Sequence, residues 1–215
     1  MMNIDLFELA IKIKSQAQIK LPGIESHKVM LPEGRSMPND YLDKIENYKQ
    51  SAVFALLFNE HNNINLLLTQ RHQYIGKHSG QISFPGGKKE SEDETLLTTA
   101  YRETYEEIGV KKNDIHFITH LSPLYIPVSN FLVQPFLGYL NNLPELLLNE
   151  REVKNIVKFP LNQINDPTII KQINIEASSG LHLTVPAFEI NGNIIWGATA
   201  MMLKEIGDLI KNFED

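Results

Sequence analysis

The chain has 215 residues, 42% of them hydrophobic and 21% charged, which suits one folded domain with a sizeable core and excludes a largely disordered chain. It contains no cysteine, so disulfides, thiolate metal sites and a cysteine nucleophile drop out, and any metal must be held by oxygen or imidazole donors. The formal net charge of −6 argues against broad binding to nucleic acid or to anionic membrane.

Residues 4–17 set Ile4, Leu6, Phe7, Leu9, Ala10, Ile11 and Ile13 among polar positions, a pattern that predicts an amphipathic helix. This start lacks a basic head followed by an unbroken apolar stretch, so it does not read as a secretory signal. The longest apolar runs, residues 52–58 and 131–140, fall well short of the ~20 residues of a membrane helix. A cytoplasmic protein is expected. From residue 21 to about 47 the chain is rich in Pro, Gly and charge and reads as a loop with one helical turn. Residues 51–58 (SAVFALLF) then predict a buried strand, and residues 64–71 (INLLLTQR) its hairpin partner across a polar turn at 59–63.

Residues 81–84 form another short strand, stopped by Pro85-Gly86-Gly87. A helix over 91–108 follows, with Ser91 as its cap, Glu94 at capping-box spacing and Gly109 as its stop. Strands are expected at 115–121 and 131–140. Asn191-Gly192 marks a hairpin between AFEI and NIIW, and a closing helix runs over 198–213. Strands, helix, strands and helix in that order predict an α+β domain of layered αβα form with a mixed sheet. Residues 1–50 are expected to be an N-terminal helix and extended segment packed on a core domain at 51–215.

On the 91–108 helix, each residue turns by about 100°. With Leu96 at zero, Leu96, Leu97, Ala100, Tyr101, Tyr105 and Ile108 cover about half the circumference. Glu103 and Glu107 lie within about 20° of Leu96, and Glu106 lies about 60° beyond Glu103. Three carboxylates at the border between core and solvent repel one another and call for a cation. Mg2+ or Mn2+ would meet that need, because hard cations favour carboxylate oxygens and bridge to phosphates. The plain alternative is a solvated acidic helix face.

The glycines upstream favour the metal reading. Residues 86–110, from Gly86-Gly87 through Arg102-Glu103, Glu106-Glu107 and Gly109-Val110, closely resemble the Nudix box. The resemblance implies a Nudix-type αβα sandwich and a loop–helix–loop that binds metal and diphosphate. Counted back from Arg102, the box's first acidic position falls on Glu94, with six residues between it and Gly87 where the box usually leaves five. On this count the loop carries one extra residue. Upstream, residues 67–87 resemble the added signature of the coenzyme A pyrophosphatase branch, LLTXR followed by GXXXFPGG. Leu67, Leu68, Thr69, Arg71, Gly80, Phe84, Pro85, Gly86 and Gly87 fit, and Gly76 stands where that branch commonly has arginine. Residues 127–131 and 195–200 are similar to the same branch, so the likeness runs from about 51 to 210.

The resemblance implies metal ligands at Glu103, Glu106 and Glu107, catalytic roles for Glu106, Glu107 and Arg102, and substrate contacts from Arg71, Lys77, Gly86 and Gly87. Arg102 is expected to orient a glutamate rather than touch substrate. Water would attack the diphosphate in line, with a carboxylate as base. The implied substrate is coenzyme A, a small molecule, giving 4′-phosphopantetheine and 3′,5′-ADP, with no nucleic-acid or membrane partner and room for a homodimer. ADP-ribose, NADH and dinucleotide polyphosphates stay open as alternatives, as does a non-catalytic binding module of the same fold. Trp196 reads as a core residue, with adenine stacking as the lesser reading. The histidines show no metal spacing, and Ser129 has no visible His–Asp partnership.

Overall fold

The computed structural model describes residues 5–32, 47–72, 80–176 and 182–213. It contains helices α1 (Leu6–Ile19), α2 (Ile24–Val29), α3 (Leu96–Ile108) and α4 (Gly197–Ile210). The strands are β1 (Lys49–Glu60), β2 (Asn63–Arg71), β3 (Ile82–Ser83), β4 (Gly86–Lys88), β5 (Ile115–His120), β6 (Leu124–Ile126), β7 (Phe131–Leu140), β8 (Val153–Pro160), β9 (Ile170–Glu176), β10 (His182–Ile190) and β11 (Asn193–Trp196). The main sheet is mixed, in the order β3-β2-β1-β7-β5, with β4 on β1, β6 on β7 and β8 on β2. Its parallel pair is β1 with β7, in register from Lys49↔Phe131 to Phe58↔Leu140. A second, antiparallel sheet runs β11-β10-β9.

The unbroken apolar run in β1 is explained by burial on both faces. Ala52, Phe54, Leu56 and Phe58 point into a cluster with Ala100 and Ile108 of α3, whereas Ala55 and Leu57 point into the larger cluster with α1 and α4. Alternate side chains of one strand thus glue two helical layers to one sheet. The α+β layered fold with a mixed sheet is what the sequence pattern predicts. The β1–β2 turn uses His61 and Asn62 at φ 50° and 61°, the left-handed pair that suits a tight hairpin. The Asn191-Gly192 hairpin is likewise present, with φ 49° and 75°.

Four points differ from the expectations. The acidic helix begins at Leu96, not 91: Thr95 is the cap, its Oγ1 accepting from the Thr98 N–H at 3.1 Å. Ser91 and Glu94 are exposed in the preceding turn, so no capping box forms. The residue that displaces them is Asp93, whose Oδ2 accepts from the Glu90 N–H and the Thr99 hydroxyl, pulling 90–95 into a separate turn. Tyr105, placed on the apolar arc, is 55% exposed. β8 and β9 were absent from the sequence reading altogether. The closing helix gives way to a 3-10 turn at Lys211–Phe213.

At the N-terminal end, α1 buries Leu6, Leu9, Ala10 and Ile13 in the larger cluster. α2 is fastened to α4 by a buried pair, with His27 Nε2 2.9 Å from Glu205 Oε2 and both side chains fully enclosed. Glu205 also accepts from the backbone N–H of Gly23 at 3.3 Å and of Ser122 at 3.1 Å. One carboxylate therefore satisfies three elements at once. Glu205→Ala would strand the imidazole and both amides without partners, a loss of about 3 kcal/mol. Urea unfolding should show a lower midpoint at unchanged m-value, with a smaller shift for Glu205→Gln.

Candidate functional site

The site forms where β4 passes between β1 and α3. Gly86 and Gly87 pair with Val53 and Ala52, and Phe54 donates its N–H to Pro85 O at 2.9 Å. The two glycines are needed for different reasons. A Cβ on Gly86 would sit 2.3 Å from the Ala52 carbonyl oxygen, so β1 excludes it. A Cβ on Gly87 would sit 2.4 Å from the Glu103 carboxylate, so the helix side excludes it. With glycine at both positions, backbone amides of the turn come close to the glutamates.

The α3 helix packs Ala100 and Ile108 against β1 and presents its acidic residues along the border that the sequence predicts. Glu107 is the innermost, with its side chain 4% exposed, Glu103 is 14% exposed and Glu106 is 50% exposed. Glu107 Oε2 accepts from the Gly86 N–H at 3.4 Å, and Oε1 from Arg71 Nη2 at 3.5 Å. Burial pushes the Glu107 carboxyl up to about 7, the Arg71 charge opposing and the Glu103 charge adding to it. Burial also raises Glu103 above the ordinary carboxylate range, against the pull of Arg102. Glu107 is thus a carboxylate short of positive charge, its one cationic neighbour among the described residues being Arg71 at 3.5 Å.

Arg102 lies flat across this border with all five of its N–H directions used. Nε and Nη2 donate to Asp93 at 3.1 and 2.8 Å, Nη1 to Glu103 at 2.9 Å and Glu106 at 3.0 Å, and Nη2 also to the Lys88 carbonyl at 3.0 Å. The forked bond from Arg102 holds the Asp93 carboxyl far below its usual range, and Asp93 in turn raises Arg102. Arg102 thus orients two of the glutamates and locks the glycine turn to the helix.

Asp93 is a residue the sequence reading missed, although its signal was present. Five residues separate Gly87 from Asp93, the usual spacing of the box, so the extra residue lies between the acid and Arg102. Counting back from Arg102 misplaced it onto Glu94. A second missed residue is Glu152. It precedes Val153, which pairs with Arg71 across β2 and β8, and its charge adds to the upward shift of both Glu103 and Glu107. Only the fold brings it there, 44 residues after the end of the helix.

Arg71, Gly86, Gly87, Arg102, Glu103, Glu106 and Glu107 therefore gather at one edge. Lys77, Gly76 and His78 lie outside the described residues. Among the described residues no three acidic or imidazole side chains form a ready-made cation cage, and Arg102 spans Glu103 and Glu106. The oxygen-only donors, two of them with raised proton affinity, nonetheless fit a hard divalent ion. Trp196, read as core, is only partly buried at the end of β11. Ser129 sits in the turn before β7. No helix among the described residues is long and apolar enough to cross a membrane.

A family model for the NUDIX domain matches residues 48–177. The chain belongs to the Nudix hydrolase family. The uncharacterized Nudix hydrolase NudL of Yersinia pestis (strain Pestoides F) is 31% identical over 146 residues, which cover 67% of this chain and 72% of that protein. NudL of Yersinia pseudotuberculosis (serotype O:1b) matches to the same extent. Among solved structures, RenU, a Nudix hydrolase from M. smegmatis, superposes with a TM-score of 0.54 at 13% identity over 86% of this chain and 96% of its own. The MutT protein of Methanosarcina mazei Go1 gives 0.51 at 18% identity over 79% of this chain and 98% of its own. These two likenesses speak to fold alone. Family membership makes the protein a Nudix pyrophosphatase, a hydrolase of diphosphate bonds in nucleoside diphosphate derivatives.

The two glycines separate stability from chemistry. Gly86→Ala should fold poorly, since its Cβ meets β1 backbone. Gly87→Ala should keep its melting temperature within a few degrees while losing most of its activity, because the new Cβ meets the end of the Glu103 side chain rather than backbone. Thermal melts beside diphosphate hydrolysis assays check both.

Proposed function

We propose that this Nudix hydrolase cleaves the diphosphate of coenzyme A or its derivatives, giving 3′,5′-ADP and 4′-phosphopantetheine. The observation that supports the reading is that the two described ends of the segment resembling the coenzyme A pyrophosphatase signature, residues 67–72 and 80–87, meet at the acidic site. Arg71 reaches Glu107, Gly86 donates to it, and Gly87 lies against Glu103. ADP-ribose, NADH and dinucleotide polyphosphates present the same bond and are the competing substrates.

Glu103, Glu106 and Glu107 would hold Mg2+ or Mn2+, whose bound form supplies charge neutralisation of the diphosphate and a more acidic water. The residues of the chain do the rest. Arg71, half-exposed beside Glu107, is placed to meet a phosphate oxygen, and the Gly86–Gly87 backbone lets the diphosphate approach the helix. Lys77 is assigned to the same task on its sequence position. Arg102 acts on the glutamates, holding them at fixed positions through Asp93. Water attacks one phosphorus; its oxygen forms the new P–O bond, the bridging P–O bond breaks, and the second phosphate leaves with the bridging oxygen. The attacking water must lose a proton. Glu152 suits that role, being exposed, outside Arg102's reach and electrostatically coupled to the helix glutamates.

The test is chromatography of products from coenzyme A, ADP-ribose, NADH and diadenosine polyphosphates offered in parallel with Mg2+ or Mn2+. Fastest release of 3′,5′-ADP from coenzyme A is expected, with Glu106→Gln and Glu107→Gln close to inactive. Glu152→Gln should lower kcat by roughly 100- to 10,000-fold. Far better cleavage of another diphosphate would transfer the substrate assignment to that compound. No cleavage with either metal would make the protein a binding module.

A further inference from the structure

The 147–153 segment is bound to the end of α3 by its backbone. Leu147 N–H donates to the Ile108 carbonyl at 3.0 Å, and Asn149 N–H donates to the Glu107 carbonyl at 2.9 Å. These are carbonyls that the last turn of a helix leaves without intrahelical partners. Gly109, at φ 75°, turns the chain away, and a Cβ there would meet Leu147 Cβ at 2.8 Å. The segment is therefore seated on the helix terminus in a single register.

Within it, Asn149 makes an unusual number of bonds. Its carbonyl accepts from the N–H of Glu152 and of Val153, both at 2.9 Å. Its Oδ1 accepts from the Arg151 N–H at 3.2 Å, and its Nδ2 donates to Glu152 Oε1 at 3.1 Å. One residue thus holds the main chain of Glu107 on one side and the carboxylate of Glu152 on the other. A carboxylate on an exposed turn would otherwise sample several rotamers, and ordering it costs entropy each time it must act.

We propose that Asn149 is a positioning residue for hydrolysis, fixing the Glu152 carboxylate relative to α3 through its side-chain amide while its backbone is anchored to Glu107. The inference rests on Glu152 serving in the reaction, as assigned above. The two ends of the Asn149 side chain do different work. Oδ1 shapes the turn through Arg151, a task aspartate performs as well. Nδ2 holds Glu152, a task aspartate cannot perform, since it has no donor and repels a second carboxylate.

Asn149→Asp and Asn149→Ala are therefore compared, alone and combined with Glu152→Gln, by thermal melting and by steady-state kinetics. Asn149→Asp is expected to melt close to the wild type but to lose roughly 10- to 100-fold in kcat, with KM changed by less than about twofold. Asn149→Ala should lose kcat to a similar extent with some loss of thermal stability. In the Glu152→Gln background neither substitution should lower kcat by more than about twofold further. Wild-type kcat in Asn149→Asp would reduce the residue to a turn former and overturn the proposal. So would a full, independent loss in the Glu152→Gln background. If Glu152→Gln itself keeps wild-type activity, the assignment of Glu152 falls, and the positioning role falls with it.

Discussion

The acidic edge depends on keeping an ionisable carboxylate, Glu107, inside the protein. Its side chain is almost wholly buried, and its partners among the described residues are the Gly86 N–H and the edge of Arg71, both at long range. A lone charge in that position is costly unless it is neutralised or paired. Four parts of the structure are arranged around that cost: the glycine turn brings an amide, β2 brings a guanidinium, α3 brings two further carboxylates, and the 147–153 segment takes the Glu107 carbonyl. A divalent cation held by the glutamates would offset that charge and would supply an anchor for a diphosphate. The cost of the uncompensated carboxylate would then become affinity for the cation.

The Asp93–Arg102 pair has a different purpose. Arg102 is held by two bonds to a buried aspartate whose proton affinity is strongly lowered, so it remains charged and in place. From there it reaches Glu103 and Glu106, the two glutamates that burial leaves freer. The helix carries its own countercharge, which limits repulsion among its carboxylates, and the pair ties the loop before the helix to its second turn. The bidentate geometry is why lysine would not serve in its place.

Much of this was legible from residue order. The β1 run buried on both faces, the two hairpin turns, the β7 strand and the acidic border of α3 follow from apolar spacing and turn residues. The helix start did not. Ser91 and Glu94 have the right spacing for a capping box, but Asp93 has a stronger partner nine residues on, and that tertiary bond outweighs a local cap. β8 was missed because lysines and asparagine interrupt its apolar alternation, and its pairing with β2 is what makes it a strand. Glu152 and Asn149 carry no local signature at all. Their importance is created by the β2–β8 register and by the end of α3, both long-range features.

On this reading the buried Glu107 belongs to a divalent-cation site. Electron paramagnetic resonance of free Mn2+ during titration into the substrate-free protein tests it directly. The account predicts saturable binding to the wild type and a loss of at least about tenfold in affinity for Glu107→Gln, in a variant that still melts cooperatively. Equal Mn2+ binding by the wild type and Glu107→Gln would contradict it.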